Sequence, residues 1–443
     1  MYSEELEKLF ARRGIAPGDR IRVTVKGRTL EGILMPRPEF GDSGAMVLKL
    51  PNGYNIGMRI GSRAKVEKQG GKKTTFEFPK AKLGRKEGLP EVSIIATGGT
   101  IGAKVDYETG GVHWLLEPGE LLYAVPELKD IANYGVINLM SIGSEDMGYK
   151  DWQEIAKAAA KELSRSRGVV ITTGTDTMHY ISAALSFMLQ GINGPVVITG
   201  SQRSSDRGSS DAFMNLACSA RIAASANVAE VGVCMHATSS DTYCSFMRGT
   251  RVRKMHTTRR DAFRPINSPP IANVTREGEI TYTDEGRVRI EDGGRELRVL
   301  KGYEPKVALL KFYPNSDPEI LDYYISKKYK GAIIEGTGMG HIAVSPHDSR
   351  YSWLGHIKRA VDSGMVVGIT SQTINGRVNP NVYTNGRLIA GTGAIYCEDM
   401  LPEVALVKLG VLLGNHRRRE AAHLLAKNMV GEISERSEVG QQL

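Results

Sequence analysis

From Glu91 onward the chain alternates short apolar runs with stretches of helical spacing, and few folds accommodate that alternation. The first run, Val92 to Ala96, has five residues, three of them β-branched, and stops at Thr97-Gly98-Gly99-Thr100. A run of this kind closed by two glycines reads as a buried parallel strand feeding a tight turn. Glycine lets the backbone approach a ligand closely, and the carboxyl end of a strand is where open α/β sheets bind ligands. Further strands are expected at 136–140, 169–172, 196–199 and 231–235, with helices at 151–167, 176–189 and 211–224. Asp151 should cap its helix with Glu154 completing a capping box, and Asp176 should cap the next one. The pattern predicts a parallel sheet with right-handed crossovers.

A second alternation follows, with strands at 306–312, 332–335 and 365–370, helices at 318–329 and 350–363, and a final helix pair at about 402–413 and 417–429. Between the two, residues 271–302 carry charged, alternating β-like stretches and read as a hairpin insertion. The chain therefore divides into α/β lobes at 91–303 and 304–430, with a polar tail at 431–443.

The N-terminal part reads differently. An amphipathic helix over 2–13 precedes alternating strands with turn signals at Lys26-Gly27 and Pro51-Asn52-Gly53, which predicts a small all-β barrel over 1–68. It carries no catalytic set and suits a docking or RNA-contacting role. Residues 69–90, rich in Lys, Gly and Pro, form a linker. Its Gln69-Gly70-Gly71-Lys72-Lys73-Thr74 lacks the spacing of a phosphate loop, so no ATP site is expected there.

Composition excludes other classes. With 41% hydrophobic and 24% charged residues, the 443-residue chain is neither disordered nor fibrous. No apolar run is long enough to span a bilayer, and the acidic N-terminus is no signal peptide, so a cytoplasmic protein is expected. Cys218, Cys234, Cys244 and Cys397 lack metal-ligand spacing and read as small apolar residues in a reducing compartment. No structural metal is expected. The net charge of +9 fits an anionic partner such as nucleic acid, and equally a solvated basic surface.

The chemistry concentrates at strand ends. Thr97-Gly98-Gly99-Thr100, Ser141-Ile142-Gly143-Ser144-Glu145-Asp146 and Thr173-Gly174-Thr175-Asp176 each place a hydroxyl or acid at one edge of the sheet. A hydroxyl can cleave an amide if a base removes its proton and N–H donors receive the oxyanion. A desolvated lysine can be that base, and Lys254 in Arg253-Lys254-Met255-His256 is the candidate. There is no G-x-S-x-G elbow, no H-E-x-x-H and no G-x-G-x-x-G dinucleotide fingerprint. His341 and His347 lie in a loop from which a ligand is within reach, against the more common reading of a surface or hydrogen-bonded structural histidine.

ATGGTIG (96–102), GSEDM (143–147), TGTDTM (173–178) and RKMHTTRRDAF around Lys254 resemble, in order, the signature motifs of the L-asparaginase/glutaminase family. GRVNPNVYTNGR (376–387) and EDMLPEVALVKL (398–409) resemble its small C-terminal domain, especially in the cytoplasmic branch. The likeness implies a two-domain asparaginase-like parallel-sheet fold, preceded here by an SH3-like barrel. It implies Thr100 as primary nucleophile, and Thr175, Asp176 and Lys254 as a second polar triad. Tyr107 would be the mobile-loop tyrosine closing over substrate. Ser144, Glu145 and Asp176 would bind the α-carboxylate and α-amino groups, and Ser201 would lie near the substrate amide. Thr173 stands where the family usually has histidine. Thr373-Ile374-Asn375 stands where many relatives have an acid that reaches the site of a neighbouring copy.

The barrel and the charged, hairpin-containing insertion further resemble the glutaminase halves of archaeal-type tRNA-dependent amidotransferases. That likeness implies L-glutamine as substrate and ammonia delivered to a synthetase-like partner, the E subunit, which would convert Glu-tRNA(Gln) to Gln-tRNA(Gln). ATP and Mg would belong to that partner, with no cofactor in this chain. It also implies a homodimer within a heterotetramer and no membrane association. The alternatives are a stand-alone L-asparaginase and a catalytically inactive adaptor that binds RNA.

Overall fold

The computed structural model describes residues 2–25, 27–35, 43–50, 55–60, 64–70, 85–99, 103–105, 112–114, 125–203, 210–284, 286, 288–290 and 296–437. Thr100, Tyr107, Lys26, the Pro51-Asn52-Gly53 turn, residues 71–84 of the linker and 438–443 of the tail lie outside the described residues.

At the N-terminus, α1 (Glu4–Arg13) begins at Ser3, whose hydroxyl accepts from the Leu6 N–H, and stops at Gly14 in the left-handed conformation. Five antiparallel strands follow: β1 (Arg20–Val25), β2 (Arg28–Leu34), β3 (Ala45–Lys49), β4 (Asn55–Arg59) and β5 (Lys65–Lys68). Their order is β4-β3-β2-β1-β5. Ile21, Val23, Leu34, Met46, Leu48 and Val66 are buried together, and Leu6 and Phe10 of α1 close that small core.

The first lobe contains β6 (Glu91–Ala96), β7 (Ala103–Val105), β8 (Val112–Trp114), β9 (Asn133–Asn138), α2 (Tyr149–Leu163), β10 (Gly168–Thr172), α3 (Met178–Met188), β11 (Leu189–Gln190), β12 (Val196–Thr199), α4 (Ala212–Ser225) and β13 (Val231–His236). It continues with β14 (Tyr243–Arg248), β15 (Val252–Lys254), β16 (Phe263–Pro265), β17 (Ala272–Thr275), β18 (Ile280–Tyr282) and β19 (Arg298–Val299). The main sheet runs β18-β17-β14-β13-β12-β10-β6-β9, parallel from β13 to β9 and antiparallel at β14, β17 and β18. Side chains alternate across it. Ile95, Val169, Ile171, Val196 and Ile198 pack on the α2 and α3 face, whereas Val92, Ile94, Val170 and Val197 pack on the α4 face. Covered faces on both sides explain why these strands read as near-continuous apolar runs.

Three expectations need correction. Residues 271–302 are no separate insertion: β17 and β18 extend the main sheet through β14, and β19 pairs with β11. The unrecognised antiparallel return of β14 from β13 supplies the edge onto which they add. The helix expected from Asp151 begins at Tyr149, because Gly148 occupies the N-cap and Asp151 sits one turn in, its Oδ2 accepting from the Gly148 N–H at 2.8 Å. Glu154 pairs with Lys157 on the surface and takes no part in the cap.

The second lobe contains β20 (Val307–Lys311), α5 (Glu319–Ser326), β21 (Gly331–Gly336), α6 (Leu354–Asp362), β22 (Val366–Ser371), α7 (Thr384–Gly391), β23 (Ile395–Tyr396), α8 (Pro402–Asn415) and α9 (Arg418–Leu425). Its strands form a parallel sheet in that order. Val404, Val407, Val411 and Leu425 of α8 and α9 share one core with Ile181, Leu185 and Met188 of α3, so the lobes are joined by a common apolar layer. The four cysteines are buried and free, and burial pushes the Cys244 and Cys397 thiols up. No described helix is long and apolar enough to cross a membrane.

Lys408 of α8 lies in that layer, fully buried 2.6 Å from the equally buried Glu432. Its amine also donates to the carbonyls of Leu425 and Lys427, while Glu432 accepts from the N–H groups of Met429 and Val430. Removing one partner of such a pair strands a buried charge. Lys408→Met is therefore expected to destabilise the protein by about 3 kcal/mol, measured by denaturant unfolding. A loss below about 1 kcal/mol would show that the pair contributes as little as a surface bridge.

Candidate active site

Four neighbouring parallel strands, β9, β6, β10 and β12, deliver their carboxyl ends to one edge of the sheet. Each is followed by a glycine preceding a polar loop: Gly143, Gly98-Gly99, Gly174 and Gly200. These glycines set how closely the loops approach. Gly98 and Gly99 have φ of 112° and 87°, and a Cβ on Gly99 would lie 2.3 Å from the Gly174 nitrogen and from the Thr173 carbonyl carbon. A Cβ on Gly174 would meet Ser144 Oγ at 2.8 Å, and one on Gly200 would meet Thr175 Cγ2 at 3.2 Å. The loops thus stack backbone to backbone in an arrangement that side chains would prise apart.

The residues before the glycines tie the strands together. Thr97, fully buried, donates its hydroxyl to the Thr172 carbonyl at 2.9 Å, and Thr199 donates to the Cys234 carbonyl at 2.9 Å. Neither role was read from the sequence, although a threonine ahead of Gly98, Gly174 and Gly200 was its visible sign.

Lys254, at the end of β15, reaches this edge from far along the chain. Its Nζ donates to Thr175 Oγ1 at 2.9 Å and to Asp176 Oδ1 at 2.7 Å. The amine is sheltered, with 10% of its side chain exposed, while Asp176 is 68% exposed and faces outward. The structure thus brings Thr175, Asp176 and Lys254 into direct contact. It also corrects the capping expectation for Asp176: α3 begins two residues later with Thr177 as N-cap, and the Asp176 carboxylate is taken by Lys254.

Ser144 is buried beside this group, its carbonyl accepting from the Thr177 hydroxyl and its Oγ accepting weakly from the Thr177 N–H at 3.4 Å. Glu145 is exposed next to it and folds back over Gly143. Ser201 is fully buried, and its Oγ has no hydrogen-bond partner among the described residues. The loop behind Ser201 is held by Asp211, whose carboxylate accepts from the N–H groups of Gln202 and Arg203; burial pushes its carboxyl up. His179, in the first turn of α3, is lowered to about 4 by burial and by the charges of Arg253 and Lys254, so it is neutral at neutral pH. His341 belongs to the second lobe, its ring packed against Tyr383. Among the described residues, no group of three or more His, Cys, Asp or Glu side chains is arranged to hold a metal.

A hydroxyl, a sheltered amine and a carboxylate in series, above a glycine-lined strand edge, form a proton-moving unit suited to amide cleavage. Family comparison gives the same class. The asparaginase N-terminal model matches residues 91–286, the glutaminase/asparaginase C-terminal domain matches 306–424, and the GatD N-terminal domain matches 15–68. The thermostable L-asparaginase from Thermococcus kodakarensis superposes with a TM-score of 0.70 at 30% identity, covering 78% of this chain and 99% of that one. The fold is that of an asparaginase-family amidohydrolase, preceded by a small antiparallel strand domain.

Relatives that match almost end to end narrow this further. The D subunit of glutamyl-tRNA(Gln) amidotransferase from Thermococcus kodakarensis is 47% identical with 97% of each chain covered, and that from Pyrococcus furiosus is 48% identical with the same coverage. The Methanopyrus kandleri counterpart is 45% identical over 98% of this chain and 94% of its own. The chain belongs to the family of glutamyl-tRNA(Gln) amidotransferase D subunits.

The glycine contacts can be tested directly. Gly99→Ala forces a Cβ into the Thr173–Gly174 peptide and is expected to lower amidohydrolase activity by about 10²-fold, with kcat falling. Gly88 shares a positive φ but has open space around its would-be Cβ. Gly88→Ala should cost only about 1 kcal/mol of stability and leave kcat unchanged. Equal activity in both variants would show that loop stacking is dispensable.

Proposed function

We propose that this chain is a glutaminase, hydrolysing L-glutamine through an acyl-enzyme on Thr100 and supplying ammonia to a synthetase-like partner, the E subunit. The partner, using ATP and Mg, converts Glu-tRNA(Gln) to Gln-tRNA(Gln); this chain itself carries no cofactor. The observation that supports the reading most is the Lys254 amine lying within hydrogen-bond distance of both Thr175 and Asp176. The D-subunit relatives, by their name, support the tRNA-dependent setting.

In this reading Thr100, directly after Gly99, attacks the side-chain carbonyl carbon of glutamine. Its proton passes to the Thr175–Lys254–Asp176 unit and then to the leaving nitrogen as the C–N bond breaks. Water attacks the resulting ester with the same unit as base, freeing glutamate and Thr100. Lys254 accepts from Thr175 in its neutral form while still donating to Asp176. Outward-facing Glu145 and Asp176 suit an α-ammonium, and the Ser144 hydroxyl suits the α-carboxylate. The unpartnered Ser201 Oγ is a buried polar group of the kind that a bound amide satisfies. Tyr107 closes over the substrate. A homodimer within a heterotetramer, working in the cytoplasm without membrane contact, completes the proposal. The solved L-asparaginases favour a second reading, asparagine hydrolysis at the same site without tRNA.

Thr100→Val, Thr175→Val and Lys254→Met should each lower glutaminase and glutamine-driven amidation by about 10³-fold. Amidation from free ammonia, assayed in the complex, should be retained. Loss of both routes would make these residues structural. Brisk asparagine turnover by the chain alone, indifferent to tRNA and partner, would instead establish the second reading.

A further inference from the structure

The second lobe contributes none of the proton-moving side chains, yet it touches the strand that carries Lys254 at alternate residues. Side chains alternate along a strand with a period of two. Val252 is fully buried in the shared core, and Lys254 enters the active site. Arg251 and Arg253 reach the other way, to the turn and first helical residues at 399–403. Arg251 Nη1 lies 2.9 Å from Asp399 Oδ2, with both side chains 2% exposed. Arg253 Nε lies 3.5 Å from Glu403 Oε1, and Glu403 is 3% exposed. The return strand β16 leads to Asn267, which donates to the Asp399 carbonyl at 2.9 Å and accepts from the Gly376 N–H at 2.9 Å. The open end of the short hairpin that bears Lys254 is therefore held by the second lobe through both of its strands, with the Arg253 contact nearer the amine.

The two arginines differ in how fully they are bonded. Arg251 also donates to the Gly431 carbonyl and to Ser434 Oγ, so its guanidinium is held by several partners. Glu403 is less satisfied: among the described residues its Oε1 makes no hydrogen bond, and the ion pair with Arg253 is long. Glu403 sits in the first turn of α8, where the helix N-terminus favours a carboxylate. Burial pushes its carboxyl up while the Arg253 charge opposes that rise; Glu335 raises it further. On the other side, the Arg253 charge bears on His179 and Tyr180 of α3, the helix that follows Thr175 and Asp176. Arg253 thus lies between the second lobe and the active-site helix, one residue before the amine.

We propose that Arg253 and Glu403 are positioning residues, through which the second lobe holds Lys254 in line with Thr175 and Asp176. The proposal rests on the reading of Lys254 as the amine that activates Thr175. Neither residue touches the substrate. They act through the backbone of β15: with residue 253 anchored to α8, residue 254 has little freedom to rotate away from the strand edge. A displacement of about 1 Å at a reacting group lowers rate strongly without abolishing substrate binding.

The test uses the full chain in complex with its synthetase-like partner, with Glu403→Gln, Arg253→Gln and the double variant. Glu403→Asp is included as a charge-retaining variant should the neutral ones fold poorly. Steady-state glutaminase kinetics are measured alongside acylation of Lys254 by succinic anhydride, followed by peptide mass spectrometry. Each neutral variant should lower kcat about tenfold, change KM less than about twofold, and speed Lys254 labelling severalfold. The double variant should be no worse than either single one, because both remove the same contact. Glu403→Asp should recover part of kcat. Unchanged kcat and labelling in folded variants, or losses that multiply in the double variant, would overturn the proposal. Labelling does not depend on turnover. If Lys254→Met keeps full activity, the functional reading fails, while labelling still decides whether the pair holds the amine.

Discussion

The approach of Gly99 to the peptide of Thr173 and Gly174 is the contact on which the site depends. Adjacent parallel strands lie about 4.8 Å apart, and loops leaving their ends normally diverge because side chains need room. Here the α-carbons of Gly99, Gly174 and Gly200 each press against the neighbouring loop, and a Cβ at Gly99 or Gly174 would come within 3 Å of it. Among the described residues, Thr175, Asp176 and Ser201, which follow Gly174 and Gly200, are thereby gathered on one edge. The threonines before them, Thr97 and Thr199, fix the strands beneath through carbonyl contacts.

Around that edge the protein uses long-range contacts. Lys254 meets Thr175 and Asp176 across nearly eighty positions of sequence, and its hairpin is braced by a lobe that begins fifty residues later still. The lobes are joined by apolar packing of α3 on α8 and α9, in which Lys408 and Glu432 are buried as a satisfied pair. A buried pair of this kind adds little net stability over an apolar substitute. Its geometric demand is strict, however, and it fixes how α8 meets the segment after α9. The same helix α8 presents Glu403 towards Arg253, so one element both joins the lobes and reaches towards the active site.

What the sequence revealed followed from local physics. The apolar runs at 92–96, 169–172, 196–199 and 231–235 read as buried strands and are strands, and the glycine-hydroxyl endings pointed to the strand edge where Lys254 meets Thr175 and Asp176. Non-local partners were harder to read. Asp176 stood in an N-cap position, and only the arrival of Lys254 from β15 showed that its carboxylate was committed elsewhere. The hairpin at β17 and β18 looked like an insertion because the strand onto which it adds, β14, returning antiparallel from β13 through Thr238-Ser239-Ser240-Asp241-Thr242, was not read as a strand. Helix α7 begins Thr-Asn-Gly and has the composition of a loop; Gly386 is needed there because a Cβ would meet the Pro380 backbone at 2.9 Å. The burial of Lys408 with Glu432 was not read, since nothing in a linear pattern marks a charge that is buried with its partner.

The proposal that Thr100 and the Thr175–Lys254–Asp176 unit serve one reaction is tested most directly by trapping. Incubating the complex with a diazoketone analogue of glutamine and mapping the modified peptide by mass spectrometry should show one adduct, on Thr100. Its formation should slow markedly in Lys254→Met and in Gly99→Ala. An adduct on any other residue, or labelling of Thr100 that ignores both substitutions, would contradict the shared site.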